Sequence, residues 1–185
     1  MSERLITPPA ALAVAMADAQ FAVRADVDEN GVSPLDISIT QAVRTYTREA
    51  EHITGRAFIN QTWRVTLDRF PDAIKLPRAP LGQVVHVKFY DLAGIQQVLD
   101  PQDYQVDGES EPGYVVPAPG RSWPATMARI NAVEVECVCG YGPDDTMVPD
   151  EVKGYILACV QQQFAPVGTA KKADFQRLLD GCMVY

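Results

Sequence analysis

The chain has few of the residue types from which most active sites and membrane anchors are built. It contains two histidines and four cysteines, and no run of the roughly 20 apolar residues that a membrane span needs. The cysteines lie at positions 137, 139, 159 and 182, too few and too late in the chain for a disulfide framework. Glu3 and Arg4 stand where a signal peptide would have its apolar core. These absences predict reduced thiols, no membrane association, and a protein that is made and kept in the cytoplasm.

Basic residues are also scarce. The chain has 16 Lys and Arg against 24 Asp and Glu, a net charge of -8 at pH 7, and the basic residues are scattered. Non-specific binding to a phosphate backbone needs clustered Lys and Arg that displace counterions. The composition therefore argues against a protein that holds nucleic acid through backbone charge.

Proline and glycine divide the chain into three zones. Ten of the 14 prolines and seven of the 12 glycines lie between Pro71 and Pro149. A long helix is excluded there because the proline ring clashes with the preceding turn and lacks a donor. The sequence thus predicts helices up to about residue 54, strands and turns in the middle, and helices again from about residue 150.

The outer zones carry the signals of four helices. An Ala-rich segment predicts a short helix over 14–24, and Ser33 and Pro34 suit the start of a second helix that Gly55 ends. A third helix is predicted over 150–164 and a short fourth over 173–179. The predicted buried stripes are Leu35, Ile39, Ala42 or Val43, Tyr46, Ala50 and Ile53 in the second helix, and Val152, Tyr155, Ile156, Cys159, Val160 and Phe164 in the third.

Alternating apolar and polar residues mark strands in the middle zone. The pattern occurs at 62–68, 85–89 and 133–137, and the segment from Asp91 to Gly94 reads as a hairpin turn that leads into a strand over 95–99. Several short strands at close spacing predict a small antiparallel sheet or sandwich.

One segment imitates a calcium-binding loop. Carboxylates alternate from Asp26 to Gly31, but the position that should hold a bidentate glutamate is Ile37, and Pro34 interrupts the loop. A solvated turn between two helices is the better interpretation.

Cys137 and Cys139 are two residues apart and could be half of a zinc or redox site. Zinc needs about four ligands, and both histidines are far away in sequence. Residues two apart on a strand share a face, so both thiols continue the row of Val133 and Val135 and are predicted to be small buried hydrophobes.

The remaining candidates for acid–base chemistry are His52, His86, Glu134 and Glu136. Neither histidine lies in a nucleophile motif, and both are predicted at the surface. The two glutamates share the outward face of a strand, where solubilising charge is commoner than a glycosidase pair. Since no base, nucleophile and ligand set converges, we predict no catalytic residues, no metal, no cofactor and no enzyme activity.

The two tryptophans differ in context. Trp63 alternates with Val65 and Leu67 and is predicted to be core. Trp123, beside Pro124, either covers the end of the sheet or anchors a partner, and a carbohydrate-binding β-module is the alternative function that it raises.

A series of short segments, in this order, resembles a known family. The segments are Thr54-Gly55-Arg56, Gln61-Thr62-Trp63-Arg64, Phe70-Pro71, Leu76 to Leu81, Leu99-Asp100-Pro101, Asp103-Tyr104, Trp123-Pro124, Asn131-Ala132-Val133, Gly140-Tyr141-Gly142 and Val148-Pro149. The series resembles the head-tail connector (neck adaptor) proteins of siphophages, prophages and gene transfer agents, and the similarity spans nearly the whole chain.

The resemblance implies an α+β fold in which N-terminal and C-terminal helices form a bundle with an inserted antiparallel β-domain. The corresponding domains are 1–56, 57–148 and 149–185. It implies a virion component of the neck that forms a ring, twelvefold in this family, and joins the head to the tail. Its partners would be the portal protein and either the next neck protein, a stopper, or a tail terminator, with genome DNA passing through the channel without specific binding. A role as the stopper itself is the alternative within the neck.

The end of the chain is the segment that this resemblance assigns to the portal. It is unusually apolar for a terminus, and we expect portal contacts from Phe175, Leu178, Leu179, Val184 and Tyr185. The sequence predicts that the segment is ordered only by the portal, so that deleting 173–185 would leave a folded protein that cannot join heads.

Overall fold

The computed structural model describes residues 1–166, 169 and 175–184. The fold is α+β, with the chain divided into two compact units. The β unit contains residues 1–8 and 60–140, and the helical unit contains residues 9–59 and 141–184. The division therefore differs from the predicted one, because the first eight residues lie with the strands.

The first strand, β1 (Ser2–Thr7), was not predicted, and the expectation that the first 56 residues hold only helices is wrong for this segment. β1 pairs antiparallel with β2 (Gln61–Leu67), so that Glu3 lies opposite Val65 and Leu5 opposite Trp63. Its side chains are mostly exposed because it is an edge strand. A strand that buries almost nothing has no apolar alternation for sequence analysis to detect.

A five-stranded antiparallel sheet forms the larger part of the β unit. Its order is β1-β2-β8-β4-β5, where β4 is Leu81–Tyr90, β5 is Gln96–Val98 and β8 is Val133–Cys139. The three predicted alternating strands and the hairpin turn at 91–94 are all present. Val65, Val87, Val133 and Val135 are fully buried on one face.

One predicted inward residue, Val85, instead points outward. The register of β4 against β8 shifts between Val84 and His86, and Val85 is 49% exposed. An extra residue in one strand reverses the side-chain alternation beyond it, which sequence alternation alone does not reveal.

A second, three-stranded sheet completes the β unit. It consists of β3 (Ile74–Lys75), β6 (Tyr104–Asp107) and β7 (Tyr114–Pro117) in the order β3-β7-β6. Ile74 and Val115 lie opposite each other on β3 and β7 and are fully buried. Leu76, just after β3, is 1% exposed.

The helical unit contains α1 (Met16–Val23), α2 (Asp36–Thr54), α3 (Asp150–Gln163) and a 3-10 helix over Phe175–Cys182. The predicted start of α2 lies two residues early. Ser33 Oγ accepts from the Leu35 amide, and the Asp36 carboxylate accepts from the Ser33 amide, so this turn precedes the helix and fixes its entry. Gly55 ends α2 with φ of 73°, as predicted.

One buried cluster holds these helices together. Leu35, predicted to be buried, is instead exposed because it precedes α2. Among the described residues no helix is long and apolar enough to cross a membrane. The fully buried members from the helices include Ala19, Ile39, Val43, Ala50, Ile156, Val160 and Leu179.

Candidate functional site

The most concentrated group of charges lies on one face of the five-stranded sheet. The register places Arg64 of β2 opposite Glu136 of β8, and Glu136 opposite His86 of β4. Arg64 Nη2 donates to Glu136 Oε2 at 2.9 Å, and Arg64 Nε lies 3.5 Å from Glu134 Oε1. His86 Nε2 lies 3.3 Å from the same Glu134 oxygen. We call these four residues the charge row.

The charge row contains the one group of metal-ligating side chains that the described residues bring together. One ligand atom each from His86, Glu134 and Glu136 fall within 4.8 Å of one another. The guanidinium of Arg64 already contacts both carboxylates, however, and supplies the positive charge that a cation would bring. The hydrogen bond with Glu136 is the largest effect that raises the pKa of Arg64 above its ordinary value. The arrangement is therefore an ion-pair network in which one guanidinium bridges two carboxylates.

Two predictions on these residues need correction. His86 is not a free surface residue, since it contacts Glu134, and the two glutamates are half-buried ion-pair partners instead of solvated charge. The other histidine, His52, is exposed as predicted.

The thiols of Cys137 and Cys139 lie on the buried face of β8, as predicted. Both residues are fully buried, and their sulfur atoms are 3.8 Å apart. The hydrogen bond to Cys139 and then burial raise the pKa of Cys137 above its ordinary value, which keeps this thiol protonated. The same hydrogen bond lowers the pKa of Cys139, but both sulfur atoms are inaccessible on the buried face, so neither can meet a substrate or an ion there.

The segment from Asp26 to Gly31 forms the predicted solvated turn between α1 and α2. Asp28 Oδ1 accepts from the amides of Asn30 and Val32. The hydrogen bond from the Val32 amide is the main cause of the lowered pKa of Asp28. The carboxylate thus serves the turn itself.

The indole N–H and one ring face of Trp123 already contact other residues of the β unit. Its Nε1 donates to the Pro71 carbonyl at 2.7 Å, and its ring stacks on Phe70 at 4.6 Å between centroids. Phe70 in turn contacts the ring of Phe89. Of the two predicted roles, these contacts favour a cover over the end of the sheet. Trp63, predicted to be core, is instead half-buried, and the Arg78 guanidinium lies over its ring, 4.9 Å from the ring centroid.

The predicted portal-binding residues fall into two groups. Leu179 is fully buried in the helical core, Phe175 is packed against it, and Val184 is half-buried. Leu178 is 44% exposed, while Tyr185 lies outside the described residues, as does Ala173 at the predicted start of the last helix. The expectation that this segment lacks contacts within the subunit is wrong for residues 175–184, which pack against α2 and α3.

A buried arginine that sequence analysis missed holds this segment in place. Arg56 Nε donates to the Cys182 carbonyl at 2.6 Å, and the Val184 amide donates to the Thr54 carbonyl at 2.9 Å. Arg56 also lies 6.0 Å from the ring centroid of Tyr141. Its role could not be found from sequence because its partner is a backbone atom 126 residues away.

The helical unit contains a cavity of about 410 Å³. Its described lining has no carboxylate, histidine or cysteine, and its one hydroxyl, on Thr169, donates to the Pro166 carbonyl with no base beside it in that lining. The other lining residues are mainly apolar, with two amide side chains and one arginine, and include Ala22, Val23, Arg24, Gln161 and Phe164.

Comparison with known proteins gives similarity at the level of structure. No family model matches the sequence, and no curated protein matches it significantly. A chain from the neck of an empty gene transfer agent particle, computed with C6 symmetry, aligns with a TM-score of 0.80 at 18% identity. A chain from the virion of a native gene transfer agent particle aligns at 0.79, and one from a native neck computed with C12 symmetry at 0.71, both at 18% identity. Each alignment covers 100% of this chain and 96% of the other.

These alignments show that the two units together have the fold of a gene transfer agent neck component. The alignments include all of this chain and 96% of the other chain, so both units belong to the shared fold. At 18% identity the likeness concerns the fold alone.

Proposed function

We propose that this protein is a structural head-tail connector, an adaptor that forms a ring beneath the portal of a tailed phage or gene transfer agent. It joins the head to the tail or to the next neck protein. The observation that carries the proposal is the full-length structural similarity to a neck component. The helical unit corresponds to the bundle of the connector family, and the β unit to its inserted domain.

The chemistry of the described residues supports a mechanical role. Arg64 pairs with both glutamates of the charge row, the Cys137 and Cys139 thiols are buried, and the described cavity lining has no carboxylate, histidine or cysteine. A net charge of -8 suits a channel that DNA crosses without adhering to it. The particle's neck is accordingly the proposed location, after synthesis in the host cytoplasm.

The proposed portal contact narrows to the exposed part of the C-terminal segment. Leu178 presents 44% of its surface to solvent, whereas Leu179 beside it is committed to the core. Phe175 and Val184 are half-buried, so only the exposed part of each side chain is available for the portal contact. Tyr185 remains a prediction. Trp123 as a partner anchor also remains a prediction, with its indole N–H and one ring face already engaged.

A joining experiment tests the function and the contact separately. Heads assembled without this protein are mixed with tails and with purified wild type, Leu178→Asp, or the control Met147→Asp, which changes another exposed residue of the helical unit. We expect wild type and the control to produce tailed particles by electron microscopy, with density for the protein next to the portal. Density placed beyond an intervening ring would favour the stopper alternative.

The outcomes separate the two claims. If wild type fails to join heads to tails and is absent from the neck, the connector function is wrong. If Leu178→Asp joins them as well as wild type does, the portal contact is wrong and the function stands.

A further inference from the structure

The helical unit exposes a group of large apolar residues around the connection between α1 and α2. Phe21 is 87% exposed, the most of any large apolar residue that the structure describes. Four more follow within 16 residues of it. We call this group the helical patch; it consists of Phe21, Val27, Val32, Leu35 and Ile37.

Hydrogen bonds hold the helical patch in one place. Gln20 Nε2 donates to the Gly31 carbonyl at 3.0 Å and to Asp36 Oδ1 at 2.7 Å. Phe21, Val32 and Ile37 are the chain neighbours of these three residues, which brings their exposed side chains to the same end of the unit.

The rim of the helical patch is acidic. Asp18, Asp26, Asp28 and Glu29 are exposed around it, against one exposed arginine, Arg24. None of these five residues forms an ion pair among the described residues. A partner surface that fits this patch is therefore apolar and carries positive charge.

The β unit exposes a second apolar group that meets this description. We call it the hairpin patch; it consists of Leu92, Ile95, Val98, Met127 and Ile130. The Met127 amide donates to the Tyr90 carbonyl at 3.0 Å, and the Asp91 amide donates to the Ile95 carbonyl at 3.0 Å. These bonds hold the segment 127–130 against the tip of the β4–β5 hairpin.

The hairpin patch lacks the excess of negative charge that surrounds the helical patch. Arg69 and Arg129 are exposed there and have no ion-pair partner within the part of the chain that the structure describes. The Arg129 guanidinium carbon lies over the Tyr90 ring, 4.0 Å from its centroid, which holds this exposed side chain in place. Two carboxylates lie nearby and balance these arginines: Asp91 accepts from two amides and Gln97, and Asp68 accepts from the Asn131 amide.

We propose that the helical patch of one copy of this chain docks on the hairpin patch of the next copy. This inference rests on the proposed function, because a ring built from one chain needs two different, mutually complementary surfaces on each subunit. The two patches are both apolar and differ in net charge, with an excess of negative charge beside the helical patch and balanced charge beside the hairpin patch. Contact between two helical patches is therefore disfavoured relative to contact between unlike patches.

Two double variants test the docking. Phe21→Arg with Val32→Arg places positive charge in the helical patch, and Leu92→Asp with Ile130→Asp places negative charge in the hairpin patch. Each change leaves the core untouched, and circular dichroism and thermal unfolding should match wild type. Met147→Asp and Val85→Asp are the matched controls, since both residues are exposed and lie in neither patch.

We expect wild type and both controls to self-associate in sedimentation velocity as concentration rises. Each double variant alone should associate at least about thirtyfold more weakly, the effect of losing an interface hot spot. An equimolar mixture of the two variants should associate again and form at least dimers, because each variant keeps the one patch that the other has lost.

Several results would overturn the inference: a monomeric mixture, either double variant associating like wild type, or wild type remaining monomeric at every concentration. A dimer formed by one variant alone would show contact between like patches instead. The result is independent of the joining experiment. If the mixture forms dimers but wild type does not join heads to tails, the docking stands and the connector function fails. If wild type joins heads to tails but the variants associate like wild type, the connector function stands and the docking fails.

Discussion

The helical unit and the β unit place their strongest polar contacts in different environments. In the helical unit, the buried Arg56 side chain donates to a backbone carbonyl at the far end of the chain. In the β unit, Arg64 pairs with two glutamates on a half-exposed sheet face. Water can replace a half-exposed contact but cannot reach a buried one. The helical unit should therefore be the more sensitive of the two to the loss of a single polar contact, and the following changes test that difference.

The largest effect should come from removing residues 175–185. The deletion takes Leu179 and Cys182 out of the helical core and leaves Arg56 buried without the Cys182 carbonyl. We expect a loss on the order of 5 kcal/mol in unfolding free energy, measured by urea titration, with partial unfolding of the helical unit. This reverses the expectation from sequence that the truncated chain stays folded. A truncated protein as stable as Leu178→Ser would contradict the packing described above.

Matched core truncations come next. Ile156→Ala in the helical unit and Ile74→Ala in the β unit each empty a fully buried site, and each should lower stability by about 2–5 kcal/mol. Because the units have separate cores, amide hydrogen exchange should rise mainly in the unit that carries the change. Equal acceleration in both units after either change would show that they unfold as one.

A pair of arginine substitutions compares the two polar contacts directly. Arg56→Met should lower stability by about 1–3 kcal/mol, since it leaves a buried carbonyl without its donor. Arg64→Met should lower it by about 1 kcal/mol or less, because solvent screens the remaining carboxylates. The exposed Arg4, which lies opposite Arg64, is the control as Arg4→Met. Urea titration that ranks Arg64→Met above Arg56→Met would reverse the comparison.

The smallest effect concerns pH and the β4–β5 hairpin. The hydrogen bond from Gln97, followed by those from backbone amides, lowers the pKa of Asp91 below its ordinary value of 3.8. A depressed carboxyl pKa stabilises the folded state above the ordinary value, and this contribution disappears as the pH falls through the folded-state pKa. Asp91→Asn should therefore speed amide exchange in the hairpin at pH 7 and have less effect in acid. Asp72→Asn is the control, and an effect of Asp91→Asn that does not change with pH would rule out this origin.

The elements that sequence analysis identified are those with a local signal. α2 and α3 show apolar stripes at helical spacing, and β8 alternates strictly from Val133 to Cys139, so burial could be inferred from each segment alone. β1 and the outward turn of Val85 were missed because they depend on a partner strand and on a register shift. Neither leaves a trace in the residues themselves.

The candidate sites divide in the same way. The Cys137–Cys139 pair and the Asp26 turn could be interpreted from spacing, since neighbours in sequence determine them. The charge row joins three strands whose pairing is unknown until the sheet is formed, and Arg56 binds a backbone atom 126 residues away. The apolar residues of the C-terminal segment were recognised, but their division into a buried Leu179 and an exposed Leu178 required the tertiary contacts.

The two units are built from alternating segments of the chain, and this order determines when each unit can fold during synthesis. The polypeptide contributes residues 1–8 to the β unit, then 9–59 to the helical unit, 60–140 to the β unit, and 141–184 to the helical unit. As the ribosome releases the chain, β1 must therefore wait for β2, and α1 and α2 must wait for Leu179 to complete their core. A nascent chain interrupted before Leu179 lacks a fully buried member of the helical core and cannot complete that unit.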